Sequence, residues 1–160
     1  MSGLQKLVTF RLDNWRFALS VSIVERIIRA VEATPLPKAP DIVSGIINLH
    51  GLVVPLFDIR KRFGLPAREV ELSDQIIIAA ARNRTISILV DSVDNVMDIP
   101  EEKIVASDQV LTDLPYVDGI VKTVDGMIII HDLDRFLSIH EEKTLSEAIE
   151  ALESHEHQGE

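Results

Sequence analysis

Five histidines and several well-placed aspartates are the residues of this chain best suited to chemistry. His140, His155 and His157 invite a metal reading. A structural site needs about four preorganised ligands, and the last two sit in a polar tail with nothing to fix them. A solvated tail is the better account. His131 lies beside Asp132 at a strand end, where a surface or half-buried structural histidine is the default. Asp58 and Asp132 resemble paired catalytic acids, but their duplicate positions each open a short helix, so N-capping explains them better. Asp91 follows an apolar strand and is placed to serve nearby backbone donors. No Ser, His and Asp order carries a nucleophile-elbow signature. Gly45 and Gly51 are too isolated to cradle phosphate, and no Gly-Lys-Ser follows them. With no cysteine, disulfides, thiol catalysis and thiolate zinc sites are excluded. Trp15 suits an interface anchor or a cover over a core edge. These residues suggest no metal, no cofactor and no enzymatic activity.

The elements that position them repeat. Val43-Ser44-Gly45-Ile46-Ile47 runs on through Gly51 to Asp58-Ile59. Val117-Asp118-Gly119-Ile120-Val121 runs on through Gly126 to Asp132-Leu133. Val, Gly, Ile and Asp recur 74 residues apart. Each copy reads as strand, Gly-centred turn, apolar strand, then a short helix opened by Asp. Such self-similarity marks one β unit built twice.

Composition agrees. Aromatics are only 4% of the 160 residues, so the core is aliphatic. Half-domains of roughly 70 residues bury little alone, so the halves are expected to share one core. A net charge of −10 argues against nucleic acid, whose phosphates reward basic clusters. It suits a soluble protein that docks on other proteins, with the acidic surface serving solubility. Met1 to Lys6 has no long apolar run, so no secretory signal is expected. No apolar run approaches the roughly 20 residues of a membrane span, so no membrane insertion is expected.

Residues 7–13 and 15–21 form a hairpin about Asp13-Asn14. Ser22 caps a helical turn over 22–26, and 27–31 is a third strand. Pro35, Pro37 and Pro40 hold an extended loop. Residues 42–49 and 52–57 flank a turn at His50-Gly51, and 58–63 is a short helix stopped by Gly64 and Pro66. Residues 64–73 divide the halves. Residues 75–81 suit a strand buried on both faces, and 85–90 returns from Arg82-Asn83. Residues 93–99 are a strand, 101–115 a loop, and 116–131 a hairpin about Asp125-Gly126. Residues 132–137 repeat the short helix. A C-terminal helix spans 139–153, with apolar Leu145, Ile149 and Leu152 on one face and a capping box at Thr144 and Glu147. Residues 154–160 are expected to be disordered.

The segment Gly45-Ile-Ile-Asn-Leu-His-Gly-Leu-Val-Val-Pro-Leu-Phe-Asp-Ile-Arg60 resembles the signature of the CheW family, the chemotaxis coupling proteins. So do Thr34-Pro-Leu-Pro37, Arg62-Phe-Gly-Leu-Pro66 and Ile88-Leu-Val-Asp-Ser-Val93. The likeness covers residues 7–138. It implies a mainly β fold of about ten strands: two five-stranded SH3-like β-barrel subdomains on one hydrophobic core, with short helices and a C-terminal helix. The first barrel would span about 7–66 and the second 74–138, with strand exchange between them left open. It implies a cytoplasmic, non-enzymatic adaptor, monomeric alone and recruited to receptor arrays at the inner membrane. Its partners would be the cytoplasmic tip of a methyl-accepting receptor and the regulatory domain of a CheA-type histidine kinase. The alternatives are a like adaptor of pilus motility or biofilm control, and a small ligand-binding or hydrolytic barrel.

The resemblance places a receptor-binding groove at Val24, Arg26, Ile27, Asn48, His50 and Gly51. It picks out no kinase-binding residue. Family members usually carry Arg where His50 stands, and often an acid at the position aligned with Arg26. Here the acid is one residue earlier, at Glu25, so the usual ion pair cannot form. Arg is permanently charged and bidentate, while His changes charge near neutrality. The groove is thus expected to have lost its fixed guanidinium, and receptor binding to strengthen as pH falls from about 8 to 6.

Overall fold

The computed structural model describes residues 3–82, 84–106, 117–124 and 126–158. Among them are eleven strands in two sheets, plus a C-terminal helix. β1 (Leu4–Leu12) and β2 (Trp15–Ser20) form a hairpin about Asp13-Asn14. A single 3-10 turn, Val21–Ile23, leads to β3 (Val24–Arg29). Its cap is Ser20, not Ser22: the Ser20 hydroxyl accepts from the Ser22 N–H at 3.3 Å. β3 therefore starts at Val24 rather than Ile27. β4 (Val43–Leu49) and β5 (Leu52–Phe57) form the second hairpin, and β6 (Gln75–Ala80) and β7 (Thr85–Val90) the third. β8 (Ser92–Pro100) precedes a short β9 (Ile104–Ala106). β9 lies in the stretch expected to be loop; residues 107–116 are outside the described part. β10 (Val117–Thr123) and β11 (Gly126–His131) make the last hairpin. Gly126 already belongs to β11, paired with Thr123, and the expected turn partner Asp125 is outside the described residues.

The sheets interleave along the chain. One has the order β3-β6-β7-β5-β4, the other β8-β1-β2-β11-β10-β9. Each takes strands from both sides of residues 64–74, so that segment does not separate the sheets. The first hairpin of each half crosses to the other half's sheet, and the exchange is reciprocal. Parallel pairing explains why: Leu56 of β5 faces Ser87 of β7, and Ile129 of β11 faces Phe17 of β2. Parallel neighbours cannot be joined by a tight turn, so they come from distant segments.

Each sheet is closed by a short segment laid across the repeated glycine, an isolated bridge in one and β9 in the other. Thr34 exchanges two backbone hydrogen bonds of 2.8 Å with Ile46. In the other sheet Val105 of β9 pairs with Ile120. Ile46 and Ile120 are equivalent in the repeat. Their neighbours Gly45 and Gly119 both sit at bulges in the hairpin register. A Cβ on Gly45 would lie 2.5 Å from the Thr34 carbonyl oxygen. On Gly119 it would lie 2.8 Å from Ile104 Cγ2. The sequence repeat is thus the imprint of two closing crossings.

Strand alternation divides the aliphatic residues among three cores, where the sequence suggests one. Ile47, Val54, Leu56, Ile76, Ile78 and Leu89 fill the barrel of β3–β7. Leu7, Ala18, Ile99, Val121, Ile128 and Ile130 fill the other. A larger shared core between them holds Phe10, Phe17, Phe57, Ile77, Ile88 and Ile129. β6 serves two of them, with Ile76 and Ile78 on one face and Ile77 and Ala79 on the other.

The aspartate caps are duplicated as expected. Asp58 accepts from the Arg60 N–H at 3.1 Å, opening the 3-10 turn Ile59–Lys61. Asp132 accepts from the Asp134 N–H at 2.9 Å, but residues 132–137 form only turns, not a second short helix. The helix α1 spans Ile139–Gln158, taking in most of the tail expected to be disordered. Its capping box is Ser138 with Glu141, not Thr144 with Glu147. The Glu141 N–H donates to Ser138 Oγ at 3.1 Å, and the Ser138 N–H to Glu141 Oε1 at 3.0 Å. Thr144 instead donates its hydroxyl to the His140 carbonyl at 2.9 Å. Leu145 and Ala148 enter the shared core.

Ile46 and Ile120 are both buried. Truncation of either to Ala is expected to cost about 2–5 kcal/mol, and Gly119→Ala about 1–3 kcal/mol through overpacking. Urea unfolding checks both. Neutral outcomes would contradict the equivalence of the two crossings.

Candidate partner-binding groove

Local backbone builds the centre of the groove. Leu49 pairs with Leu52, leaving His50 and Gly51 as a two-residue turn with φ of 53° and 90°. Two successive positive φ values define the primed turn that matches strand twist. Gly51 adopts it without a Cβ penalty, and His50 bears a modest one. Asn48 Oδ1 accepts from the Gly51 N–H at 2.8 Å, holding the turn from the side.

The turn lies against β3, at the far edge of the same curled sheet. Arg26 Nη1 is 3.2 Å from His50 Nε2. Arginine only donates, so the Nε2 of a neutral imidazole accepts. The expected loss of a fixed guanidinium is not what the structure shows: Arg26 of β3 places one against the His50 turn. The sequence could not show this, because it depends on which strands close the barrel.

The six predicted residues fall on two faces. Arg26 pairs with Ile78, whose side chain is inside the barrel, so Arg26 and His50 sit over the barrel mouth. Ile27 pairs with Ile77 and Val24 packs on the shared core, so these face the seam between sheets. Arg26, Ile27, Asn48, His50 and Gly51 are exposed, and Val24 is half-buried. Leu52 was not picked out from sequence. It flanks the turn and is 53% exposed. An apolar residue directly after the turn Gly was the available signal.

Charged groups at the opposite end of β5 and β7 from that turn tie the two sheets together. Arg60 is buried, with Nη1 donating to Asp13 at 2.8 Å and Nη2 to Asp91. Arg68 donates to Asp74 Oδ1 at 2.6 Å and to Asp91. Asp91 also accepts from the Asp13 N–H at 2.7 Å. It thus serves one backbone donor, as expected, and two guanidinium groups besides. Burial pushes the Asp91 carboxyl up, but that N–H and the two arginines hold it below the usual range. Burial likewise opposes the charge on Arg60, and hydrogen bonds to Asp13 and Asp91 raise its pKa overall. Arg62 Nε donates to the Phe136 carbonyl at 2.9 Å, and its Nη2 pairs with Glu141 at the start of α1.

His131 is the other departure. It is fully buried rather than at the surface, with its ring centroid 5.6 Å from Phe63 and 5.4 Å from Phe136. Neither ring nitrogen has a hydrogen-bond partner among the described residues. It stands where the other copy of the repeat has Phe57: Val43 pairs with Phe57, and Val117 with His131. The groove and this histidine are separate features. No group of three metal-ligating side chains occurs among the described residues.

The profile of the CheW-like domain matches residues 6–141. The chain belongs to the CheW-like domain family. It is 30% identical over 135 residues to the chemotaxis protein CheW of Rhizobium meliloti, covering 83% of this chain and 87% of that one. It is 30% identical over 152 residues to the Thermotoga maritima chemotaxis protein CheW, covering 90% and 93%. A crystal structure of the scaffolding protein TtCheW from Thermoanaerobacter tengcongensis superposes with a TM-score of 0.78. That protein is 34% identical, over 86% of this chain and 95% of its own. The two SH3-like barrels expected of a CheW-like domain are thus the fold of this chain, each barrel drawing strands from both halves.

Burial first, and then the charge of Arg62, push His131 down to about 3 from an ordinary 6.5. The unfolded chain takes up a proton near 6.5 that the folded chain refuses, so stability falls as pH drops from 6.5 toward 3. His131→Phe is expected to flatten that fall and to add about 1 kcal/mol at pH 7 by removing unsatisfied buried polar atoms. Urea unfolding at pH 7 and pH 5 checks it; an unchanged pH dependence would rule it out.

Proposed function

We propose that this CheW-like protein is a non-enzymatic chemotaxis adaptor that couples methyl-accepting receptors to a CheA-type histidine kinase. The observation that carries this reading is the exposed mouth of the β3–β7 barrel. Val24, Arg26 and Ile27, and Asn48, His50 and Gly51, placed by resemblance in one receptor site, come from β3 and the β4–β5 hairpin at opposite edges of the sheet, and Arg26 and His50 meet there. The names of the relatives, chemotaxis protein CheW and scaffolding protein, support the same role. A helical receptor tip would lie along the mouth and the adjoining seam, as amphipathic helices lie in grooves.

The kinase would dock its like-folded regulatory domain against a barrel end. The tip of the other barrel exposes aliphatic side chains suited to this, Val124 and Met127. Among the described residues no helix is long and apolar enough to cross a membrane. Recruitment to receptor arrays would therefore depend on these protein contacts.

Capture from native lysate, read by mass spectrometry, is expected to recover a CheA-like kinase and a methyl-accepting receptor. Gly51→Val forces a β-branched side chain into the left-handed turn. It is expected to weaken receptor binding at least tenfold and leave kinase binding within about twofold, the step that disruption of one turn produces. Hydrogen exchange with the kinase regulatory domain should protect a barrel end. Protection confined to α1, or recovery of neither partner, would refute the adaptor role.

A further inference from the structure

Arg26 differs from five of the other arginines, while Arg84 donates to the Ser146 hydroxyl at 2.6 Å. Arg11, Arg60, Arg62, Arg68 and Arg135 each face a carboxylate. Arg26 faces only an imidazole, and no carboxylate pairs with it among the described residues. One of its five N–H donors is used by His50, which leaves the guanidinium held in place but underused.

Its surroundings are electrically quiet. β4, β5, β6 and β7 contain no Asp, Glu, Lys or Arg. The other charged residues on or next to β3 are Glu25, in the bulge between Val24 and Arg26, Arg29 and Glu32. Arg29 pairs with Gln75 two positions beyond Ile27 and so lies on the seam face, away from the mouth. The mouth therefore presents the oriented Arg26 beside an apolar Leu52, on a chain of net charge −10, with Arg82 and Arg84 in the β6–β7 turn at the same end of the sheet and Arg84 engaged by Ser146.

We propose that this mouth is a carboxylate receptor, in which an aspartate or glutamate of the receptor tip lies between Arg26 and His50 with apolar neighbours on Leu52. The proposal rests on the receptor-site reading above. On an acidic protein an acidic partner is repelled at most places, so an exposed guanidinium held in one orientation beside apolar surface favours docking there. His50 contributes in two ways. When neutral, its Nε2 accepts from Arg26 and holds the guanidinium over the mouth. That same lone pair opposes an incoming carboxylate. Protonation turns Nε2 into a second donor, at the cost of two adjacent cations, which the carboxylate relieves. Binding therefore favours the imidazolium and is coupled to proton uptake at His50.

The test is isothermal calorimetry with the cytoplasmic hairpin tip of a methyl-accepting receptor from the same genome. The matched probe is that fragment with its tip Glu and Asp changed to Gln and Asn. Arg26→Gln and the neutralised fragment should each lose about tenfold in affinity, the scale of one charge-assisted hydrogen bond. Combining them should cost no more than either alone. Wild type should take up protons on binding at pH 7, measured in buffers of different ionisation enthalpy, and His50→Arg should not. Full binding by Arg26→Gln or by the neutralised fragment, while Gly51→Val fails, would overturn carboxylate recognition and leave the receptor site standing. No binding by the wild-type protein would overturn both.

Discussion

Barrel closure depends on two backbone approaches: Thr34 against Ile46, and Val105 against Ile120. Each needs an adjacent residue without a side chain, because a Cβ would occupy the space of the crossing strand. Once those crossings are made, the remaining order follows. β3 is drawn beside β6, β8 beside β1, and the hairpins that start each half must lie in the opposite sheet. Neither half can complete a barrel alone. The shared core between the sheets is where this dependence is energetic as well as topological, since burial there scales with the apolar area both halves contribute.

The seam is also held by charge. Asp91 sits between β7 and β8, where the chain leaves one sheet for the other, and collects Arg60, Arg68 and the Asp13 N–H. A buried ion pair is weak evidence for net stability, because desolvation offsets much of its attraction. Its clearer effect is geometric. Asp13 belongs to the β1–β2 turn and Arg60 follows β5, so the cluster fixes one sheet's turn against the end of the other. Arg62 does the same for α1, linking Phe136 and Glu141 to the 3-10 turn after β5.

This rigidity bears on the groove. The β4–β5 turn needs no support from a partner: Leu49, Leu52 and Asn48 set its conformation, and the strand behind it is buried. Arg26 is carried on an edge strand whose other neighbour is β6. The meeting of Arg26 with His50 thus reports barrel closure directly.

Local order was legible in the residues. Alternation of apolar positions marks β1 and an apolar run marks β5, the Asp13-Asn14 and His50-Gly51 turns are written in residue type, and Asp58 and Asp132 announce their caps. The 74-residue repeat revealed two like units, and the matching motifs their family. Three-residue β9 carries too short a pattern to separate from loop, and competing serines and threonines obscured which caps the 3-10 turn and which caps α1. What no local pattern contains is which strands are neighbours. That is decided by parallel pairings between distant segments, and with it the exchange of hairpins, the burial of His131 and the contact of Arg26 with His50. Side-chain period tells a residue which way to face, but only closure of the barrels tells it what it will face.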